Sequence, residues 1–422
     1  MAKLNHRKYR RLVAGIGAAA IAVTLAASTA ASATSWHWRS QITARAGSSF
    51  HPSRPPVRPS HTHTKTATPT RTVTSTPTPT KTATPTRTVT ATPTPTPTPT
   101  ITAPVTSTPP VANCSTPKNP WVSLEACGWA GPGNTGYRSA NCPNGLALNS
   151  GGATRVIAVT KPNTVISCQK ITGSLDIQTT GVTITDSYVS YDGGGVGGSG
   201  VIKIEDGASA TVDHVEINGL NHTHSCVWHQ GTAAVVRNIN CYGINDGIFS
   251  WADTGYSSTT GDNFSITDSY FHDFTANAAN GHIDGYQTEG ASNGVIKHNT
   301  YLMTSDADSA IAIWDSLKSS SNIAVSNNLI TGGGFSVYAE DYSPSEANPV
   351  GGFSISNITF TNNSFSTHAA KCVGGYGTWF TRSSWKYQGG PTDGWHRTGN
   401  VVLETGENLD AGNPHVNGVL CT

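Results

Sequence analysis

A degenerate internal repeat constrains the fold of this 422-residue chain more than any other feature. From residues 182, 210, 234, 264, 294, 322 and 353 one reads VTITDSYVS, ATVDHVEING, AVVRNINCYG, FSITDSYFHD, GVIKHNTYLM, NIAVSNNLITGG and FSISNITFTNNSF. Each is a short alternating strand, then a polar residue or Asn pair, then a second short strand. The copies recur every 24 to 31 residues, a period that implies units stacked on one another. Between them runs a second strand family: VIKIED (201–206), CVWHQG (226–231), GIFSWAD (247–253), GYQTEG (285–290), AIAIWDS (310–316) and FSVYAED (335–341). No helical periodicity separates the strands. At least three short strands per period, without crossover helices, predict an all-β parallel β-helix with loop-rich terminal caps. Asn at the bends fits, because it tolerates left-handed backbone and bonds its neighbours. A β-sandwich would need hairpin turn signals, and these are scarce.

The ends of the chain are a different material. A basic start (MAKLNHRKYRRL), an apolar run (LVAGIGAAAIAVTLAA) and small residues (ASA) predict a secretory signal peptide over 1–33. Residues 34–112, dominated by HTHTKTATPTRTVTSTPTPT and its continuation, hold almost nothing to bury and read as a disordered, extended Thr/Pro linker. The folded domain is then 113–422, with 113–150 capping the first coil, coils over about 150–370 and a C-terminal cover over 371–422. All eight cysteines lie in it, and an even count in an exported chain predicts disulfides. Cys226–Cys241 and Cys372–Cys421 are the expected pairs. A net charge of +1 with 12 % charged residues leaves no basic stripe for nucleic acid. No segment after the leader is apolar enough for a membrane. The expectation is a secreted monomer, in the medium or at the cell wall.

Alternate strand residues face opposite ways. In the second strand family, Ile202, Ile204, Ile248, Ile311, Ile313, Phe335 and Val337 read as inward. Lys203, Glu205, Trp228, Phe249, Trp251, Gln287, Glu289, Trp314, Tyr338 and Glu340 then read as outward. Stacking at roughly 4.8 Å merges the outward set into one solvent-open strip. Aromatic faces, amides and carboxylates suit a sugar polymer, so Gln287, Glu289, Trp251, Trp314, Tyr338 and Glu340 are candidate substrate-binding residues. Aligning INDGIF (244–249) with HIDGYQ (282–287) sets Asp246 beside Asp284 in adjacent coils. Two such carboxylates raise each other's pKa, and one stays protonated. That pair, with His282, is the candidate catalytic set for acid–base cleavage of a glycosidic bond; His224, Asp306 and Asp308 flank it. Asp-Gly is also an ordinary turn, in which Asp caps amides and Gly takes a positive φ.

These repeats resemble the right-handed, single-stranded parallel β-helix proteins of the pectin-lyase-like superfamily, over roughly residues 150–370. The resemblance implies that fold, and polymer binding along the second strand family. GHIDGYQTEG with FSVYAEDYSPSE resembles most the secreted bacterial members that lack an assigned reaction. The Gly-His-Gly, Asp-Asp and Arg-x-Lys of polygalacturonase-like hydrolases are absent. Pectate lyases use an acidic calcium cluster and an arginine base, whereas Arg237 and Arg382 are expected outside the strip. Alginate epimerases use Asp and His near a tyrosine, loosely echoed by Asp284, His282 and Tyr286. Three readings follow: a polysaccharide hydrolase, a lyase or uronate epimerase, and a non-catalytic carbohydrate-binding or surface-adhesion module. No metal site or cofactor is assigned. Ca²⁺ is the one candidate ion, at Asp315, Glu340 and Asp341, against an Asp315–Lys318 pair that would leave nothing for it.

Overall fold

The computed structural model describes residues 114, 119–194, 199–251, 259–275, 282–340, 353–383, 386–388 and 394–421. The expected leader (1–33) and linker (34–112) lie outside the described residues, as does Asp341; the side chain of Glu340 is likewise undescribed.

Nearly every strand pairs in parallel with strands one coil before and one coil after, in three ladders. Ladder A runs through Val156–Val159, Ser174–Ile177, Gly200–Ile204, the end of Ser209–His229, the end of Asn240–Ser250, Asp284–Thr288, Ser309–Ile313, Phe335–Glu340 and Gly377–Ser383. Ladder B carries the repeat starts in register: Val182, Ala210, Ala234, Phe264, Gly294, Ile323, Ile358 and Trp395. Ladder C holds the second short strand of each repeat, from Ala147–Ser150 to Val401–Val402. The described chain is therefore an all-β stack of parallel strands, the arrangement a parallel β-helix requires.

The register corrects the end of the repeat. The last copy aligns at Ile358, not at residue 353, and a further rung follows at Trp395. The stack therefore continues to about residue 402, and the expected cover shrinks to 403–421. That segment closes the last coil: Leu409 is buried and its carbonyl accepts the Trp379 indole N–H at 2.9 Å. Sequence periodicity fails here because FSISN (353–357) mimics a repeat start five residues before the one in register.

The corners between ladders B and C explain the Asn, Asp and His of the repeat. Asn238, Asp268, His298, Asn327 and Asn362 all have φ between 52° and 57°. Short polar residues visit this left-handed region at the lowest cost after glycine. Just inside the corner, Asn299, Asn328, Asn363 and Asn400 form a buried ladder. Each side-chain amide donates to the next Oδ1 (3.1, 2.9 and 2.9 Å), and Asn400 donates to Asp410 at 2.9 Å. The same amides donate to the carbonyls of Ile266, Ile296, Val325 and Phe360. A fully satisfied polar row is tolerated where a half-satisfied one would not be.

Residues 119–142 do not sit over the first coil as expected. They run down the flank of the stack outside ladder C. The Trp121 indole donates to Ser366 (2.8 Å), His298 bonds the Gly128 carbonyl (2.7 Å), the Gly136 N–H donates to Asn238 (2.9 Å), and Asn141 donates to Asp186 (2.8 Å). Leu124 and Ala130 pack with Tyr270 and Leu329 beneath this strap. Sequence reading missed it because contacts made along a flank have no period.

All eight cysteines pair: Cys114–Cys127, Cys142–Cys168, Cys226–Cys241 and Cys372–Cys421. Both expected bridges are present, and the other two tie the strap. Among the described residues no helix is long and apolar enough to cross a membrane.

Candidate functional site

Several ladder A strands from 200 onward open with two consecutive core residues. Val201–Ile202, Cys226–Val227 and Ala310–Ile311 all belong to the one hydrophobic core. A Cβ added to Gly247 would come 2.8 Å from the ring of Phe271, and one on Gly285 2.5 Å from that of Tyr301. Positions 247 and 285 thus face the core beside Ile248 and Tyr286. Neither glycine has a positive φ; the added Cβ atoms would also strike the backbone of the next coil, at Gly285 and Ala310. Asp-Gly here is strand rather than turn, and glycine serves close packing between coils.

This doubled inward step turns the preceding residue outward. Ser225 pairs with Asp246, and Asp284 with Ser309. The result is an outer column Ser225–Asp246–Asp284–Ser309, small residues on either side of two acids. The same step overturns one expected assignment. Phe335 is not in the core but packs against Tyr338 (5.6 Å), Tyr376 (5.7 Å) and Phe380 (5.4 Å) on the outer side.

The Asp246 carboxylate accepts the Asp284 backbone N–H (2.9 Å) and lies 3.2 Å from His224 Nε2. Asp284 accepts the Ser309 hydroxyl, while its second oxygen is 3.8 Å from His282 Nδ1. His282 is also 3.9 Å from Asp308, and Asp308 accepts the Ile283 N–H at 3.0 Å. Asn245, which sequence reading missed, donates to the His282 carbonyl. Three acids and two imidazoles from four successive coils thus converge. Asp306 is exposed to solvent outside this set.

Burial, and then the charge of Asp284, push the Asp246 carboxyl well above the usual carboxylate range. Burial raises Asp308 to about 6 against the pull of His282. Burial alone would lower His282, but Asp284, Asp308 and Asp246 outweigh it and hold the imidazolium up at about 9. His224, buried and facing that positive ring, drops to about 3 and stays neutral. Across three coils the cluster thus sets an acid pushed well above its usual range beside a charged imidazole and a neutral one.

Beside it runs the central outer row of ladder A: Lys203, Trp228, Phe249, Gln287, Ala312, Tyr338 and Phe380 in register. His224 lies 5.0 Å from Trp228 and 5.2 Å from Phe249, and Trp251 lies 4.9 Å from Phe249. His282 meets Trp314 edge-on at 5.8 Å. Gln287 donates to Glu289 at 3.4 Å, and Ser316 also bonds Glu289. Trp251, Trp314, Gln287, Glu289 and Tyr338 therefore all lie on the acids' side of the sheet.

The strip is not the open furrow expected. Gln287, Glu289, Trp228, Phe249 and Trp314 are buried. The Asp246 and Asp284 side chains are each 1 % exposed, against 17 % for His282 and 38 % for Asp308. His282 and Asp308 form the solvent rim, with the acid pair behind them. The adjoining segments 252–258, 276–281 and 341–352 lie outside the described residues.

Two charged groups depart from expectation. Lys318 pairs with Asp262 at 2.7 Å, a partner the sequence did not suggest. The backbone of Arg382 is not outside the strip but pairs with Glu340 at the edge of ladder A. Arg237 does lie elsewhere, paired with Asp213 at 2.8 Å on ladder B. Among the described residues no group of three His, Cys, Asp or Glu is arranged to hold a metal ion. Of the candidate Ca²⁺ ligands only Asp315, which is buried, can be placed in full. No protein-family model matches the chain, and no curated protein matches it.

Proposed function

We propose that this is an exported carbohydrate-active enzyme of right-handed, pectin-lyase-like β-helix type that cleaves glycosidic bonds of a polysaccharide. The observation that carries the reading is the Asp246–Asp284 pair, in which the Asp246 carboxylate accepts the Asp284 N–H at 2.9 Å and is pushed well above the usual carboxylate range by burial and by its neighbour, beside a row of aromatic and amide side chains. Asp246 donates its proton to the glycosidic oxygen as the bond breaks. Asp284 takes a proton from the attacking water. The His282 imidazolium steadies the negative charge that moves between them, and Asp308 at the rim passes protons to and from solvent. Four disulfides support export, since such bonds persist in oxidising compartments.

Full burial of both acids favours a second reading, in which the cluster is architecture on a carbohydrate-binding or adhesion module. Release of reducing ends over a polysaccharide panel separates the two. Under the first reading the wild type gives product, and Asp246→Asn or Asp284→Asn lowers the rate by about 10²- to 10⁴-fold. Binding without product in any sample supports the second. A product with the ultraviolet absorbance of an unsaturated uronide means a lyase instead.

A further inference from the structure

Asp246 is the acid of the proposed reaction, yet its side chain is 1 % exposed. Where its proton sits is therefore set by the groups packed on it. Oδ1 accepts the Asp284 backbone N–H at 2.9 Å. In the acid form an oxygen that accepts from an amide is the carbonyl oxygen, so the proton belongs on Oδ2. Among the described residues no donor serves Oδ2. It lies 3.2 Å from His224 Nε2, and the two atoms are within reach of one shared proton.

His224 is held for that contact. Its ring lies 5.0 Å from Trp228 and 5.2 Å from Phe249, and its backbone N–H donates to Ser199 Oγ at 3.1 Å. The residue is buried, and among the described residues Nδ1 has no partner. The tautomer of an imidazole follows from what each nitrogen faces. With nothing fixing Nδ1, the carboxyl of Asp246 sets it: Nε2 accepts and Nδ1 carries the hydrogen. Burial, and then the charge of His282, lower His224 to about 3, so at neutral pH the ring is uncharged and free to accept. A charged ring could only donate. The other titratable groups that face the pair are Asp284 and His282 from the next coil and Asp308 from the one after.

Resting on the reading of this site as a glycosidase centre, we propose that His224 is the positioning residue for Asp246: its Nε2 accepts from the carboxyl and holds the catalytic proton on Oδ2. As the glycosidic C–O bond breaks, that proton passes from Oδ2 to the leaving oxygen. Asp246 is left as a carboxylate, and the hydrogen of His224 stays on Nδ1.

Nitrogen NMR of the full chain labelled in histidine, together with rates of reducing-end release, tests this. At neutral pH His224, recognised by the signal that His224→Gln removes, is expected as the neutral form with its hydrogen on Nδ1. Asp246→Ala is expected to move its Nε2 signal towards that of a free acceptor nitrogen. The polysaccharides are xylan, carboxymethylcellulose, chitosan and polygalacturonate. On the one that yields most product, His224→Phe is expected to lower kcat about tenfold with little change in KM. The same variant should move the basic limb of the kcat/KM profile about one pH unit down, the size of one lost hydrogen bond. His224→Gln, whose amide oxygen accepts in place of Nε2, is expected to return the limb most of the way. Hydrogen on Nε2, a charged ring, or an unmoved limb in His224→Phe overturns the inference and leaves the glycosidase reading standing. No product from any of the four overturns both. If His224→Phe fails to fold by circular dichroism, the tautomer in the wild type decides.

Discussion

His282 shows how one side chain is set by the coils around it. Its ring lies between two carboxylates at 3.8 and 3.9 Å, and they keep it charged despite burial. A group whose folded pKa is raised gives its full stabilisation below its unfolded value and loses it as pH rises through the folded one. For His282 the window is about 6.5 to about 9. Melting curves should lose about 3 kcal/mol across that window, and His282→Gln should flatten the slope. An unchanged slope in the variant would place the titrating group elsewhere. The polar content of this site was legible in GHIDGYQTEG, and DG-to-DG alignment identified the pair. Its sidedness was not legible, because strict alternation breaks at Gly247–Ile248 and Gly285–Tyr286. Asn245 and Ser309 were missed because nothing in their local sequence distinguishes them from ordinary strand residues.

At the scale of the element, the two kinds of asparagine in the repeat have different roles. Asn293 is exposed at the start of the strand Ser292–Lys297, with φ 61°, and makes long contacts to Asn263 (3.2 Å) and Asn322 (3.3 Å). Asn328 is buried, and through its side chain it serves Asn299, Ile296 and Asn363. Asn328→Ala should therefore cost about 3 kcal/mol in urea unfolding, since it strands several desolvated groups at once. Asn293→Gly should stay within about 0.5 kcal/mol, because glycine accepts positive φ without strain. Equal effects would contradict the division of roles. The sequence pattern located Asn328, since SNN and TNN recur at the bends, but not that it faces the core. That depends on a corner of the coil that has no sequence period.

For the whole molecule, the strap and the register are the features that single elements do not reveal. Trp121 stacks on His368 at 5.0 Å and anchors the strap near the C-terminal coils, far in sequence from Cys142–Cys168 at the other end. Trp121→Ala should speed protease cutting within residues 119–141 about tenfold while the ladder strands stay protected. Uniform cutting along the chain would mean that the strap is not a separate unit of stability. The central claim is that coil stacking brings Asp246 onto Asp284. Its most direct test is a double-mutant cycle on stability at neutral pH with Asp246→Asn, Asp284→Asn and the pair. Direct contact predicts a coupling of about 1 kcal/mol or more. Effects that add to within about 0.5 kcal/mol would show that the two acids do not meet.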